Sequence, residues 1–394
     1  MILDPGITHP VFALLVIAAA IGSIWLIDRW LAVPLDSSRV QGIDGLRGYL
    51  AGMVFIHHAC IWYAFLRSGH WESPASAFYT ELGRSSVALF FMITAFLFTR
   101  RILVSRTIEW NRLYVSRILR IVPLLVVHHL AALLVLAFIR LNHMPTVFNG
   151  IPTDRKVLLT AAVSWTLDYE WIFYLILPLI ALVRGSRVPL VLALISALMV
   201  MERQSEVLSE HMLPFFGGVV AALVADSRRL RTFAPSPMAS LLALVCLAAA
   251  YGYGRSLPTI VWLIALTVAF TLIANGNTLA GLLQSRVSRV FGEITYSVYL
   301  LHGLVLFIAF RGVTGIPLAQ SLSPAMHWLV VGLAAPLLVS LSFASWRWIE
   351  QPCLRRVDAW SKRLRLSFVE PSQPPSTRQP AISNKFNNSN SVAN

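Results

Sequence analysis

The sequence predicts an all-α, polytopic integral membrane protein with about eleven transmembrane helices, and three observations carry that prediction. Charged residues make up 13% of the 394-residue chain and 57% is hydrophobic, with a mean hydropathy of +0.70; soluble domains carry about 25% charged residues. A soluble domain of this length would need a polar surface that such a composition does not supply. The apolar runs are long and continuous, unlike the short alternating segments of a transmembrane barrel. Finally, the basic residues behind the net charge of +14 lie in short loops between apolar runs. They form no basic helix face, which argues against nucleic acid as a partner and for a lipid bilayer.

In chain order the apolar segments fall at 11–28, 46–66, 85–104, 119–139, 166–184, 188–202, 211–226, 237–253, 258–275, 291–310 and 325–348. The segment at 188–202 is short for a spanning helix. The first segment has no basic flank before it, and Ile24-Trp25-Leu26-Ile27-Asp28 is no small-residue cleavage site, so it is expected to be a retained helix. With the loop before Arg47 in the cytoplasm, 24 of the 32 Lys and Arg fall on the cytoplasmic side. The positive-inside rule then puts the N-terminus outside and the C-terminus inside.

Three regions follow: residues 1–40 as an extra helix and linker, 41–356 as the membrane domain, and 366–394 as a tail. The tail is rich in Pro, Ser, Asn and Gln and is expected to be disordered, because it cannot bury enough apolar surface. No loop is long enough for a soluble catalytic domain, so any chemistry lies among the helices. No internal repeat is visible, whereas many transporters have matching halves. Cys60, Cys246 and Cys353 lack disulfide or metal-ligand spacing, and no metal site is expected.

Arg47 and His58 bracket ten mostly apolar residues. Eleven helical steps turn about 1100° and rise about 16 Å, so both side chains share one face, half a bilayer apart. Polar groups at such depths are costly and usually functional. Guanidinium suits phosphate, and imidazole suits a general base that takes a proton from a hydroxyl. His57 points about 100° away from His58. Asp44, just before the apolar run, reads as an N-cap. Arg117 and Arg120, at i and i+3, can grip one anion between them, while topogenic charge is the plainer reading of composition alone. Glu170 enters a span at the outer surface, in Trp165-Thr166-Leu167-Asp168-Tyr169-Glu170-Trp171-Ile172-Phe173-Tyr174. Its carboxylate could polarise a histidine or bind acceptor hydroxyls. Trp165 and Tyr174 fit either an interfacial aromatic belt or sugar stacking. Tyr299 and His302 lie in a late span, where packing or hydrogen bonding is the plainer role for His302.

Six ordered elements resemble the acyltransferase-3 family of integral membrane acyltransferases. They are Ile43-Asp44-Gly45-Leu46-Arg47-Gly48 with His58, Phe90-Phe91-Met92-Ile93-Thr94-Ala95-Phe96-Leu97, and Ser116-Arg117-Ile118-Leu119-Arg120-Ile121-Val122-Pro123. The others are Trp165-Thr166-Leu167 with Glu170, Phe173 and Tyr174, then Tyr296-Ser297-Val298-Tyr299-Leu300-Leu301-His302, and Trp346-Arg347-Trp348-Ile349-Glu350-Gln351-Pro352. The resemblance implies a ten-helix core, here with one added N-terminal helix, in a bacterial inner membrane. It implies transfer of an acyl group, usually acetyl, from cytoplasmic acyl-CoA as co-substrate to a hydroxyl of a carbohydrate or lipid-linked glycan. It maps the essential Arg and His to Arg47 and His58, and the Arg-x-x-Arg pair to Arg117 and Arg120. On this reading His58 and Glu170 are catalytic and Arg47, Arg117 and Arg120 bind the donor. Trp165, Tyr174, Tyr299 and His302 serve the acceptor or the structure. Two departures stand out: Thr94-Ala95 replaces the usual Ser-Gly, and Asp168 lies within the Trp-Thr-Leu element. The alternatives are a glycan or lipid transporter or flippase without chemistry, and a non-enzymatic subunit of a polysaccharide assembly.

Overall fold

The computed structural model describes residues 5–35, 40–105, 108–148, 151–152, 156–161, 163–182 and 206–363. Among them the chain is helical apart from one short antiparallel pairing of Val147–Phe148 with Ile151–Pro152. Six helices are long and apolar enough to cross a membrane: Pro10–Leu31, Gly42–Ser68, Ala77–Val104, Trp110–Leu141, Thr295–Val313 and Pro324–Arg363. Three shorter apolar helices, His211–Val224, Pro237–Tyr253 and Thr259–Ala274, lie between them. Trp165–Leu182 covers most of the segment expected at 166–184. The segment at 188–202 and the tail at 366–394 lie outside the described residues. Leu14, Leu15, Leu134, Phe138, Leu175 and Leu333 are all exposed. Apolar side chains displayed along long helices make this an integral membrane protein, whose outer surface is solvated by lipid.

Burial separates inner from outer helices. The second helix, α2 (Gln41–Ser68), has 72% of its most apolar window buried within the protein, against 22% for α1 (Pro10–Leu31) and for α4 (Trp110–Leu141). α2 packs on α3 (Ala77–Val104), and its glycines explain how closely other elements approach it. A Cβ on Gly45 would strike the Leu283 backbone, and one on Gly292 would strike the backbone of Asp44. Gly48 faces the Phe291 ring in the same way. Asp44 is not the N-cap expected from the sequence. The helix starts earlier, with Val40 at the cap, so Asp44 falls in the first turn, where its charge suits the positive end of the helix.

The middle of the chain adds α5 (Lys156–Thr160), α6 (Trp165–Leu182), α7 (Glu206–Val224), α8 (Arg228–Phe233), α9 (Pro237–Tyr253) and α10 (Thr259–Ala274). α3 and α7 form a close pair, because Gly218 lies against the Met92 carbonyl and the Ala95 side chain. The small residue at this crossing therefore comes from α7, which leaves room for alanine at position 95. The segment expected at 291–310 is broken at Ile294. α11 (Arg286–Glu293) ends there, and α12 (Thr295–Phe307) follows, continuing into a π-helical turn at Ile308–Val313. α13 (Ile316–Ser321) and α14 (Pro324–Ser345) complete the apolar part. α12 packs against α2, α5 and α14. It runs parallel to α4, since the Tyr296 hydroxyl bonds Ile121 O at one level and Arg311 bonds Pro145 O further along both chains.

Candidate active site

A cavity of about 720 Å³ opens where α2, α3, α4, α6 and α12 meet. Its lining brings together Arg47, Arg117, Arg120, Glu170, Tyr174 and Tyr299, residues spread over more than 250 positions of sequence. Arg101 and Arg112 join them, so five guanidinium groups share the lining with three carboxylates, those of Asp44, Glu170 and Asp358. Asp358 is taken up by Arg112 at 2.7 Å, and Asp44 stands 3.9 Å from Arg47. Arg117 lies over the Phe98 ring, 5.1 Å from its centroid, and its buried Nε has no hydrogen-bond partner among the described residues. A cavity with excess positive charge and a spare guanidinium donor is built for an anion.

Glu170 is held inside this cavity. Its Oε2 accepts from the Tyr174 hydroxyl at 2.9 Å and its Oε1 from Thr94 at 3.4 Å. Arg117 also reaches the Tyr174 hydroxyl, which ties the carboxylate to the arginines of the cavity. The departure at Thr94 thus keeps a hydroxyl on Glu170. Trp165 is absent from the cavity lining and packs on His211, with ring centroids 4.5 Å apart. Asp168, one turn away, is exposed.

His58 is half-buried on α2, and its ring neighbour is His302 of α12. His58 Nδ1 lies 3.0 Å from Val54 O and 3.2 Å from His302 Nε2, while His302 Nδ1 lies 2.7 Å from Tyr299 O. Each backbone carbonyl can only accept, so in the neutral pair each Nδ1 carries the proton. His302 Nε2 is then an acceptor facing the His58 Nδ1–H, and the lone pair of His58 is left on Nε2. That is the state required of a general base. Trp71 stacks on the His58 ring at 6.3 Å, and the backbone of Ala161, held in a left-handed turn at φ 47°, also faces it. Gly303 lets that turn sit directly on α12, because a Cβ there would come within 2.7 Å of Ala161 N.

His57 packs edge-on against the His58 ring, with centroids 4.9 Å apart, but makes its own hydrogen bond. Its Nδ1 lies 2.8 Å from Tyr79 O and its ring packs on Gly83. Glu170 and His58 are not a bonded pair: the hydrogen-bond partners of one are Thr94 and Tyr174, and those of the other Val54, His302 and the backbone of Ala161. Tyr299 is the link between the two parts. Its side chain lines the arginine cavity and its carbonyl holds His302.

Three residues with no role assigned from the sequence stand out. Glu350 is buried, accepts from the Ser297 hydroxyl, and interacts electrostatically with Arg120 and Arg47. Its signal was a carboxylate placed within the closing motif, directly after an apolar span. Trp71 lies in a loop and gave no signal. His128 on α4 is buried, and neither ring nitrogen has a hydrogen-bond partner among the described residues.

Fold and site together define a membrane-embedded protein with an arginine-lined cavity and, beside it but outside its lining, an intramembrane histidine pair. Comparison with protein families matches residues 40–346 to the Acyltransferase domain of the acyltransferase-3 family. The chain therefore belongs to that family and is a membrane acyltransferase. No curated protein and no solved structure matches it.

Proposed function

We propose that this protein is an O-acyltransferase. It moves an acyl group, acetyl by default, from cytoplasmic acyl-CoA to a hydroxyl of a glycan or glycolipid. The observation that supports the proposal most is Tyr299, whose side chain lines the arginine cavity while its carbonyl holds His302, the hydrogen-bond neighbour of His58. Arg47, Arg117 and Arg120 hold the phosphates of the donor, and its thioester arm runs toward His58. Eleven helical residues from Arg47 to His58 rise about 16 Å, which suits a donor arm of that reach.

The acceptor O–H gives its proton to His58 Nε2 while its oxygen attacks the thioester carbonyl. Collapse of the tetrahedral adduct breaks the C–S bond, and the thiolate takes the proton back from His58. His302 orients His58 and shares the transient positive charge. Glu170, held by Thr94 and Tyr174, orders the donor-binding end and does not act as the proton partner of His58. The excess of basic residues before Arg47 and after α3 supports a cytoplasmic mouth for the cavity, with the N-terminus outside and the C-terminus inside. On this reading the complete bundle has eleven spans in a bacterial inner membrane.

The test uses purified protein in vesicles with acetyl-labelled acetyl-CoA and an extract of membrane glycolipids. Transfer predicts label in the glycolipid and one free thiol per label transferred. A transporter or flippase predicts neither.

A further inference from the structure

The hydroxyl pair at the inner wall of the cavity has a fixed proton order. Thr166 Oγ1 donates to Val163 O at 3.0 Å, which uses its only proton. The 3.0 Å contact between Thr166 Oγ1 and the Tyr299 hydroxyl must then run from the phenol to the threonine. With its proton committed, the phenol oxygen has only lone pairs to offer. Both residues line the cavity, and Phe90 packs its ring against Tyr299 at 5.8 Å. The cavity thus has cationic donors at the arginines and a neutral acceptor in an aromatic wall at Tyr299. An anion suits the first, and an N–H on an otherwise apolar chain suits the second.

We infer that Tyr299 is a specificity residue whose phenol oxygen accepts a hydrogen bond from an amide N–H in the arm of the thioester donor. The inference rests on the acyl-transfer reading above and extends it: the cavity selects thioesters that carry a secondary amide, beyond any phosphate they bear. Binding there also places the arm beside the backbone carbonyl that holds His302. Replacing Tyr299 with Phe removes the phenol oxygen and leaves that carbonyl in place, so the variant separates arm recognition from support of the histidines.

The test uses the full-length protein with two small donors lacking phosphate, the acetyl thioester of N-acetylcysteamine and its N-methylamide analogue. Thiol release to a membrane glycolipid extract is followed for each. The wild type should favour the N–H donor in kcat/KM by about tenfold to a hundredfold, since a buried acceptor left without its donor costs about 1–3 kcal/mol. Tyr299→Phe should bring the ratio to about one while KM for acetyl-CoA rises less than in Arg117→Ala. Equal use of both donors by the wild type overturns the inference without recourse to any variant. A preference retained in Tyr299→Phe overturns it equally. Absence of transfer from acetyl-CoA itself contradicts the acyl-transfer reading on which it rests.

Discussion

His58 Nδ1 stands 3.2 Å from His302 Nε2, joining helices whose residues are 244 positions apart in sequence. With Val54 O and Tyr299 O claiming the two Nδ1 protons, this contact leaves the basic lone pair of His58 on Nε2. On the proposed mechanism His302 is a positioning residue, whose effect belongs in turnover and not in donor binding.

His302→Ala should lower kcat by about tenfold to a hundredfold with KM for acetyl-CoA unchanged, the range typical of lost orientation of a catalytic group. His302→Gln should recover part of the loss, because its amide oxygen can accept from His58 Nδ1–H. Steady-state kinetics on purified variants decide the matter. A raised KM with normal kcat would assign His302 to the donor site instead.

Arg117→Ala should raise KM for acetyl-CoA by about tenfold and leave kcat nearly unchanged. The lost contact is charge-assisted and the same in ground and transition states. Added salt should weaken donor binding in the wild type and do so less in the variant. An unchanged KM would mean that this arginine serves membrane topology alone.

Glu350→Ala should cost about 1–3 kcal/mol of stability, because it leaves the buried Ser297 hydroxyl without the carboxylate it donates to. Glu350→Gln keeps an acceptor for Ser297 and should lose less. Thermal unfolding in detergent micelles measures both. Equal stability of Glu350→Ala and wild type would contradict the assigned role.

His128→Leu should preserve activity and raise stability by about 1 kcal/mol or more, since it removes a buried imidazole that has no hydrogen-bond partner among the described residues. Loss of turnover in a folded His128→Leu protein would show that the ring takes part in the chemistry.

The membrane class, the family and the shared face of Arg47 and His58 were legible in the sequence, because hydropathy and helical period are local properties. The meeting of Arg47 with Arg117 and Arg120 was foreshadowed by their common membrane side. The pairing of His58 with His302 was not, because it depends on how α2 and α12 pack. Glu170 could be picked out as a costly carboxylate, but its hydrogen bonds to Thr94 and Tyr174 depend on how α3 and α6 pack and were not legible. The start of α2 moved for a local reason. Helix propagates through Asp44 to Val40, and the charge is accommodated in the first turn, not at the cap. The break at Ile294 was hidden because Thr295 and Tyr296 continue an apolar run while the hydrogen-bond ladder restarts.

The role proposed for His58 as the base of an acyl transfer can be measured by single-turnover transfer from acetyl-labelled acetyl-CoA in vesicles. His58→Ala protein, matched to wild type for membrane insertion and for donor binding, should transfer no label to the glycolipid extract above background. Transfer at the wild-type rate by that variant would contradict the claim.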